Sequence, residues 1–154
     1  MKKIPDTNFV FIWHSASEDE LKSIKDLIDR LNIIQAVRLV GHVDYSKVPG
    51  YFNIADVFVS LSSCDTVPNS LLEAMASGIP PVCAELPPIN EWIRDGENGF
   101  VVPQRDPDAT ASGIIKLLEN PSLRERFSKV NLPKVKEEGD FEKQMIKLEN
   151  IFNK

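Results

Sequence analysis

Two carboxylates stand eight positions apart near the middle of the chain, on either side of a predicted helix start. Asp65 lies in a short polar loop and Glu73 on the helix that follows. Pro68 is typical of a first helical turn, where its missing N–H group costs no hydrogen bond. Side-chain oxygens that can cap a helix follow nearby, on Thr66, Asn69 and Ser70. Asn69, Glu73 and Ser77 then share one helix face.

These residue types suit an activated sugar. A helix start offers free N–H groups and a partial positive charge, both of which favour phosphate. Glu73 can accept two hydrogen bonds from the vicinal hydroxyls of a ribose, and Asp65 can do the same for a second sugar. A sugar, a diphosphate and a second sugar make a nucleotide-sugar. The spacing fits equally well a buried helix whose carboxylates only cap it or are solvated.

The composition indicates a single globular domain without a nucleic-acid partner. The chain has 154 residues, of which 42% are hydrophobic and 27% charged. Its net charge of −5, with no basic cluster, argues against binding nucleic acid. No apolar run approaches the roughly 20 residues of a membrane span, and residues 1–6 do not resemble a secretory signal. We therefore expect a cytoplasmic protein whose two cysteines, Cys64 and Cys83, are free thiols in the core.

Apolar runs alternate with helical stripes, which predicts an α/β fold with a mostly parallel sheet and helices on both faces. The predicted strands are 8–13, 37–40, 56–61, 80–84 and 100–102, and the first reads as buried on both faces. The first predicted helix is capped by Ser15 or Ser17 and runs to about residue 31. The others are 48–54, the central helix after Pro68, 107–118, 123–130 and 136–153. We expect one domain over 1–132 and a separate C-terminal helix over 133–154, with a hinge in 129–139 around Pro133.

Ligands of parallel sheets bind where the strands end at their carboxyl termini. The loops on that edge are 13–17, 41–47, 62–69, 85–91 and 103–106. Most of the polar residues singled out from the sequence fall in these loops, so the sequence predicts one site there. The segment from Asp95 to Gly99 is instead typical of a tight turn.

The segment from Asp65 to Val82, DTVPNSLLEAMASGIPPV, resembles the signature of the family-4 retaining glycosyltransferases, which usually begins with Glu. Three further pieces match that family in order and spacing: ADVFV, EWIRDG and ENGFVV. The resemblance runs from about residue 8 to about residue 127 and is specific because four blocks agree. It implies a Rossmann-like sheet, the donor-binding half of a GT-B fold, here lacking the family's first βα unit.

The resemblance also implies which residues hold the donor. Asp65 and Glu73 would be the catalytic carboxylates, and Thr66, Val67, Pro68, Asn69 and Ser70 would line the donor site with Glu73. The nucleobase would lie against the edge formed by Val40, Gly41, His42 and Val43, largely through backbone. His42 is equally well explained as a surface histidine with no functional role. Glu91 occupies a position where the family has a Glu near the site, and His14 replaces part of the family's glycine-rich turn.

The implied reaction transfers a hexose from a UDP- or GDP-linked sugar to an unknown acceptor, with retention and without cofactor or metal. No lysine or arginine lies between Lys47 and Arg94, and the family's phosphate-binding Arg and Lys belong to the missing βα unit. We therefore expect a fragment that does not transfer sugar alone and that needs an N-terminal acceptor domain or a companion chain. A homodimer would also cover the exposed sheet. Any peripheral contact with a membrane would be made by the missing part.

Two other interpretations remain open. The chain can be a non-catalytic nucleotide-sugar-binding or regulatory subunit that acts through a partner chain. It can also be an unrelated doubly wound protein of the flavodoxin or response-regulator type. The last is disfavoured because the chain has neither a phosphoacceptor acidic cluster nor a glycine-rich phosphate loop.

Overall fold

A computed structural model describes residues 7–13, 15–64 and 66–152. The chain divides into two compact units, the first ending at Gly50 and the second beginning at Tyr51. In each unit parallel strands alternate with helices, so the predicted α/β class is confirmed. The division into 1–132 and 133–154 stays a prediction.

The first unit is a strand–helix–strand unit with two parallel strands. Its elements are β1 (Phe9–Ile12), α1 (Glu18–Leu31) and β2 (Val37–Gly41), with 3-10 turns at Ile34–Ala36 and Tyr45–Lys47. Phe9 lies opposite Val37 and Phe11 opposite Leu39. Ser17 caps α1 as predicted, because its hydroxyl accepts from the Glu20 N–H at 3.2 Å while the Glu20 carboxylate accepts from the Ser17 N–H at 2.8 Å.

The prediction that β1 is buried on both faces is wrong. Each residue of Phe9–Ile12 keeps 39–46% of its surface exposed. On α1, Ile28 is buried but Leu31 of the same apolar stripe is 55% exposed. Two strands and one long helix do not enclose both faces of a sheet, so the apolar side chains of this unit remain in contact with solvent.

The second unit contains a three-stranded parallel sheet in the order β3–β4–β5. The elements after β2 are α2 (Val48–Ile54, which spans the division), β3 (Phe58–Ser60), α3 (Asn69–Ala76), β4 (Pro81–Ala84), α4 (Pro87–Trp92), β5 (Phe100–Val102), α5 (Pro107–Glu119), α6 (Pro121–Glu138) and α7 (Phe141–Phe152). Val59, Val82 and Phe100 lie side by side across the three strands.

Helices cover both faces of this sheet, as predicted. Cys83 on β4 packs with a buried cluster that includes Leu71 of α3 and Ile89 of α4. Its neighbour Val82 packs with Leu117 of α5 and Phe127 of α6. Successive strand residues point to opposite faces, so these two clusters form the two halves of the core.

Three helices differ from the sequence prediction, and one of them, α7, begins at Phe141 and not at residue 136. Segment 85–91, predicted as a loop, contains most of α4, which begins with two prolines. The hinge predicted over 129–139 is also wrong, because α6 runs unbroken through Pro133 and ends at Gly139. Phe127, Asn131 and Val135 are buried on one face of α6, four residues apart. Their packing outweighs the helical hydrogen bond lost at Pro133.

Candidate functional site

The start of α3 lies at the carboxyl end of β3, where the sequence predicts the donor site. Pro68 is the N-cap residue, with φ −65° and ψ 131°, and its side chain makes no capping hydrogen bond. The capping predicted for Thr66, Asn69 and Ser70 is therefore wrong, because proline takes the capping position and has no side-chain oxygen. The Pro68 carbonyl accepts from the Leu71 N–H at 2.9 Å.

The predicted polar face of α3 is present. Glu73 is half-buried, and Asn69, one turn earlier on the same face, is exposed. Leu71, Ala74 and Met75 of the opposite face are completely buried. Of the other predicted residues, Thr66 and Ser70 are exposed and Val67 and Pro68 half-buried. Asp65 and His14 lie outside the described residues.

The predicted base-contacting edge lies at the end of β2, in the first unit. Gly41 has φ +81°, a left-handed conformation that explains why glycine stands there. Its Cα faces the Trp13 ring, which a β-carbon would approach to 3.7 Å. Val40 is 37% exposed. His42 is exposed and Val43 half-buried.

A side chain that the sequence analysis did not single out links three loops of the second unit. The side-chain amide of Gln104, after β5, donates to the Glu85 carbonyl after β4 at 3.2 Å and to the Ser63 carbonyl after β3 at 3.5 Å. The Glu85 N–H donates to the Val102 carbonyl at 2.8 Å. The ends of β3, β4 and β5 therefore meet at one edge. The sequence signal for Gln104 is that it is a polar residue within the predicted loop 103–106.

The segment from Asp95 to Gly99 forms the predicted tight turn. The Gly96 N–H donates to the Gly99 carbonyl at 2.9 Å. Asn98 is buried, and its side-chain oxygen accepts from the Arg94 N–H at 2.7 Å. The Asn98 amide group donates to the Asn131 side chain on α6 at 2.8 Å, and Asn131 donates back to the Asn98 carbonyl at 2.9 Å. This pair fixes the turn against α6.

The two cysteines and Glu91 are the remaining residues singled out from the sequence. Cys64 and Cys83 are both free thiols, but Cys64 is exposed and not a core residue as predicted. Burial raises the pKa of the Cys83 thiol to about 12. Glu91 lies in α4 and not in a loop, and its backbone carbonyl accepts from the Lys134 ammonium at 2.7 Å.

The described residues contain neither a metal-ligand cluster nor a membrane-spanning helix. Across 7–13, 15–64 and 66–152, no group of three or more His, Cys, Asp or Glu side chains is arranged to hold a metal ion. None of the helices in these ranges combines the length and apolar character needed to cross a membrane.

Parallel strands that alternate with helices in each unit define an α/β protein. Residues 1–131 match the family model described as "Glycosyl transferases group 1". The chain belongs to the group 1 glycosyltransferases.

Curated relatives are much longer than this chain. It is 34% identical over 96 residues to a phosphatidyl-myo-inositol mannosyltransferase of Mycobacterium leprae, a match that covers 62% of this chain and 26% of the relative. It is 30% identical over 119 residues to the lipopolysaccharide core biosynthesis glycosyltransferase LpsE of Rhizobium meliloti, covering 77% and 34%. The matches thus span about a quarter to a third of these relatives.

Solved structures share the fold. The sucrose-phosphate synthase of Thermosynechococcus elongatus superposes with a TM-score of 0.88 at 23% identity, covering 97% of this chain and 39% of that one. HepE of Anabaena, solved with UDP-glucose, gives 0.88 at 19%, covering 98% and 42%. The C-terminal domain of the group 1 glycosyltransferase LpcC from Francisella tularensis gives 0.80 at 21%, covering 90% and 73%. These likenesses confirm the Rossmann-like half of a GT-B fold.

Proposed function

We propose that this chain is the donor-binding part of a family-4 retaining glycosyltransferase, which transfers a hexose from a UDP- or GDP-linked sugar to an acceptor. One observation carries the proposal. The α3 helix follows a parallel strand, begins with Pro68 as an N-cap residue that has no capping side chain, and presents the half-buried Glu73 one turn from its start. Family membership supports the reaction class.

The residues of the motif have separate roles in this proposal. The first N–H groups of α3 bind the diphosphate, because the helix end combines free donors with a partial positive charge. Glu73 accepts hydrogen bonds from the ribose hydroxyls, and Asp65 binds the transferred hexose. The assignment of the nucleobase to Val40–Val43 remains a prediction from the resemblance.

In the proposed reaction, the acceptor oxygen bonds to the anomeric carbon as the bond from that carbon to the diphosphate oxygen breaks. The acceptor proton passes to the departing diphosphate oxygen, and the new bond keeps the configuration of the old one. The backbone N–H groups of α3 stabilise the charge that develops on the leaving diphosphate. We propose that neither a metal ion nor a cofactor takes part.

The nature of the donor is suggested by the relatives. HepE was solved with UDP-glucose, and the Mycobacterium leprae relative carries the name of a mannosyltransferase. Both support a nucleotide-linked hexose. Neither identifies the acceptor of this chain.

The charge pattern supports a second candidate. No lysine or arginine lies between Lys47 and Arg94, so the segment that carries α3 adds no cationic side chain to a leaving diphosphate. Enzymes commonly meet such charge with Arg, Lys or a metal. A nucleotide-sugar-binding or regulatory subunit that acts through a partner chain does not need this charge.

Calorimetric titration tests the donor site. UDP, GDP, UDP-glucose and GDP-mannose are titrated against the wild-type chain and against Glu73→Ala. We expect binding by the wild type and a loss of about 1.5–3 kcal/mol in the variant for uridine and guanosine ligands alike, because both carry the same ribose. Glu138→Ala removes an exposed carboxylate at the end of α6 of the same unit and is the matched control. Equal affinity of the wild type and Glu73→Ala would remove Glu73 from the site.

A further inference from the structure

Gln104 makes long-range hydrogen bonds that have no role in the proposed function. It lies in the exposed loop between β5 and α5, three residues before the proline that begins α5. Its side-chain nitrogen donates to the backbone of two other loops, at Glu85 and at Ser63. The two contacts join segments 19 and 41 residues away in the chain.

The contact at Ser63 matters because of the segment to which it belongs. The loop from 61 to 68 leads from β3 into α3 and carries the acidic residue of the motif at 65. The loop ends at Pro68, the N-cap residue of α3, whose side chain makes no capping hydrogen bond. Between these ends, Gln104 gives the described residues of the loop a long-range side-chain hydrogen bond. Loops without such bonds sample several conformations.

We propose that Gln104 is a positioning residue of the donor site. Its amide holds the 61–68 loop beside the ends of β4 and β5, so that the loop and the start of α3 are preorganised for the diphosphate and the transferred sugar. The inference rests on the proposed function, because the loop is a donor-site element only there. Gln104 itself contacts neither the sugar nor the diphosphate in this proposal.

The chemistry of the side chain fits the role. A neutral amide has two N–H donors, which is what two carbonyl oxygens require. A lysine in its place would add a positive charge beside the proposed phosphate site. A glutamate would turn a carboxylate towards two carbonyl oxygens and offer no donor near pH 7. The amide therefore fixes the loop without altering the charge of the edge.

Two substitutions of Gln104 test the inference. Gln104→Met keeps the length of the side chain and removes both donors, and Gln104→Glu also adds charge. Gln144→Ala is the matched control, because Gln144 likewise donates one exposed bond, to the Glu137 carbonyl at 3.4 Å, but lies on α7. The measurements on the 154-residue chain are amide hydrogen exchange over 61–70, the melting temperature, and affinities for UDP-glucose, GDP-mannose, uridine and guanosine.

We expect Gln104→Met to exchange faster over 61–70 and to bind UDP-glucose or GDP-mannose about threefold to tenfold more weakly, the fold-change that one net hydrogen bond supports. Binding of the nucleosides, the melting temperature and the Gln144→Ala control should stay at the wild-type values. A purely structural residue would lower the melting temperature and weaken all ligands alike, which would overturn the inference. Unchanged exchange over 61–70 would also overturn it.

The two proposals fail in different ways. If the wild type binds neither nucleotide-sugar, the proposed function falls, and the donor role of Gln104 falls with it. If the wild type binds them and Gln104→Met binds them equally well, only the inference about Gln104 is overturned. Gln104→Glu should weaken binding at least as much as Gln104→Met, and wild-type affinity in Gln104→Glu would contradict the role of the donors.

Discussion

Cys83 shows how the core controls the chemistry of a single side chain. It lies in the central strand of the second unit, with none of its surface exposed, between α3 and α4 on its side of the sheet. Removal of the thiolate from water raises its pKa from 9.0 to about 12. Cys64, in the loop that follows the neighbouring strand β3, is exposed. The two thiols should therefore differ sharply in reactivity.

Thiol labelling measures that difference. With Ellman's reagent at pH 8, we expect one thiol per chain to react in the native protein and two in denaturant, because only thiolates attack and Cys83 is shielded from the reagent. Cys64→Ser should abolish the native reaction, whereas Cys83→Ser should leave it unchanged. Rapid reaction of Cys83 in the native state would contradict the burial of β4.

The same shift has a consequence for stability. In the unfolded chain the thiol ionises near its ordinary pKa of 9.0, but in the folded chain only near 12. Between these values the unfolded state binds fewer protons, so the free energy of unfolding falls as the pH rises through this window. This contribution to stability is fully present below pH 9.

At the residue scale, the sequence identifies groups that act through local spacing. The motif from Asp65 to Glu73 is readable because helical periodicity places its polar residues on one face. Gln104, Asn98 and Asn131 were not identified, because their partners lie 19 to 41 residues away in sequence. Such contacts leave no periodic trace in the amino-acid sequence.

At the element scale, local signals predict some element bounds, whereas long-range packing decides whether a helix continues past an apparent break. Ser17 and Glu20 announce the start of α1, and Val48–Ile54 and Phe100–Val102 have the predicted bounds. Helix α6 does not follow the prediction. Pro133 and the charges around Lys136 indicate a break, but the face formed by Phe127, Asn131 and Val135 is buried and keeps the helix intact.

The Asn98–Asn131 pair links that helix to the tight turn and predicts a measurable coupling. Both side chains are buried, the Asn98 amide donates to the Asn131 side-chain oxygen, and the Asn131 amide donates to the Asn98 backbone carbonyl. Asn98→Ala or Asn131→Ala leaves a buried polar group without its partner, so each should lower the free energy of unfolding by about 1–3 kcal/mol. The double variant should lose less than the sum of the two, because one deletion already breaks the pair.

Urea denaturation of the four proteins in this double-mutant cycle measures the coupling. Lys129→Ala on the same helix, which removes an exposed ion pair with Glu125, should change stability little and serves as the control. Additive losses in the double variant would show that the two asparagines stabilise the protein independently.

At the scale of the whole molecule, the two units differ in how well they bury their apolar residues. The second unit covers both faces of its sheet, whereas β1 and much of α1 in the first unit stay exposed. The matches also cover only a quarter to a third of the curated relatives. Alternation of strands and helices predicted the fold class, but it carries no information on how much of a sheet is enclosed. That depends on which elements are present to cover it.

Transfer by the isolated chain is the decisive test at this scale. The segment between Lys47 and Arg94 has no cationic side chain for the leaving diphosphate, and the proposal places the acceptor site outside this chain. We therefore expect the purified 154-residue chain to bind UDP-glucose or GDP-mannose in calorimetry but to release UDP or GDP no faster than the background. Chromatographic detection of the released nucleotide measures this, with a full-length group 1 glycosyltransferase as positive control. Turnover by this chain that disappears in Glu73→Ala would show that it carries a complete active site and would refute the need for a partner.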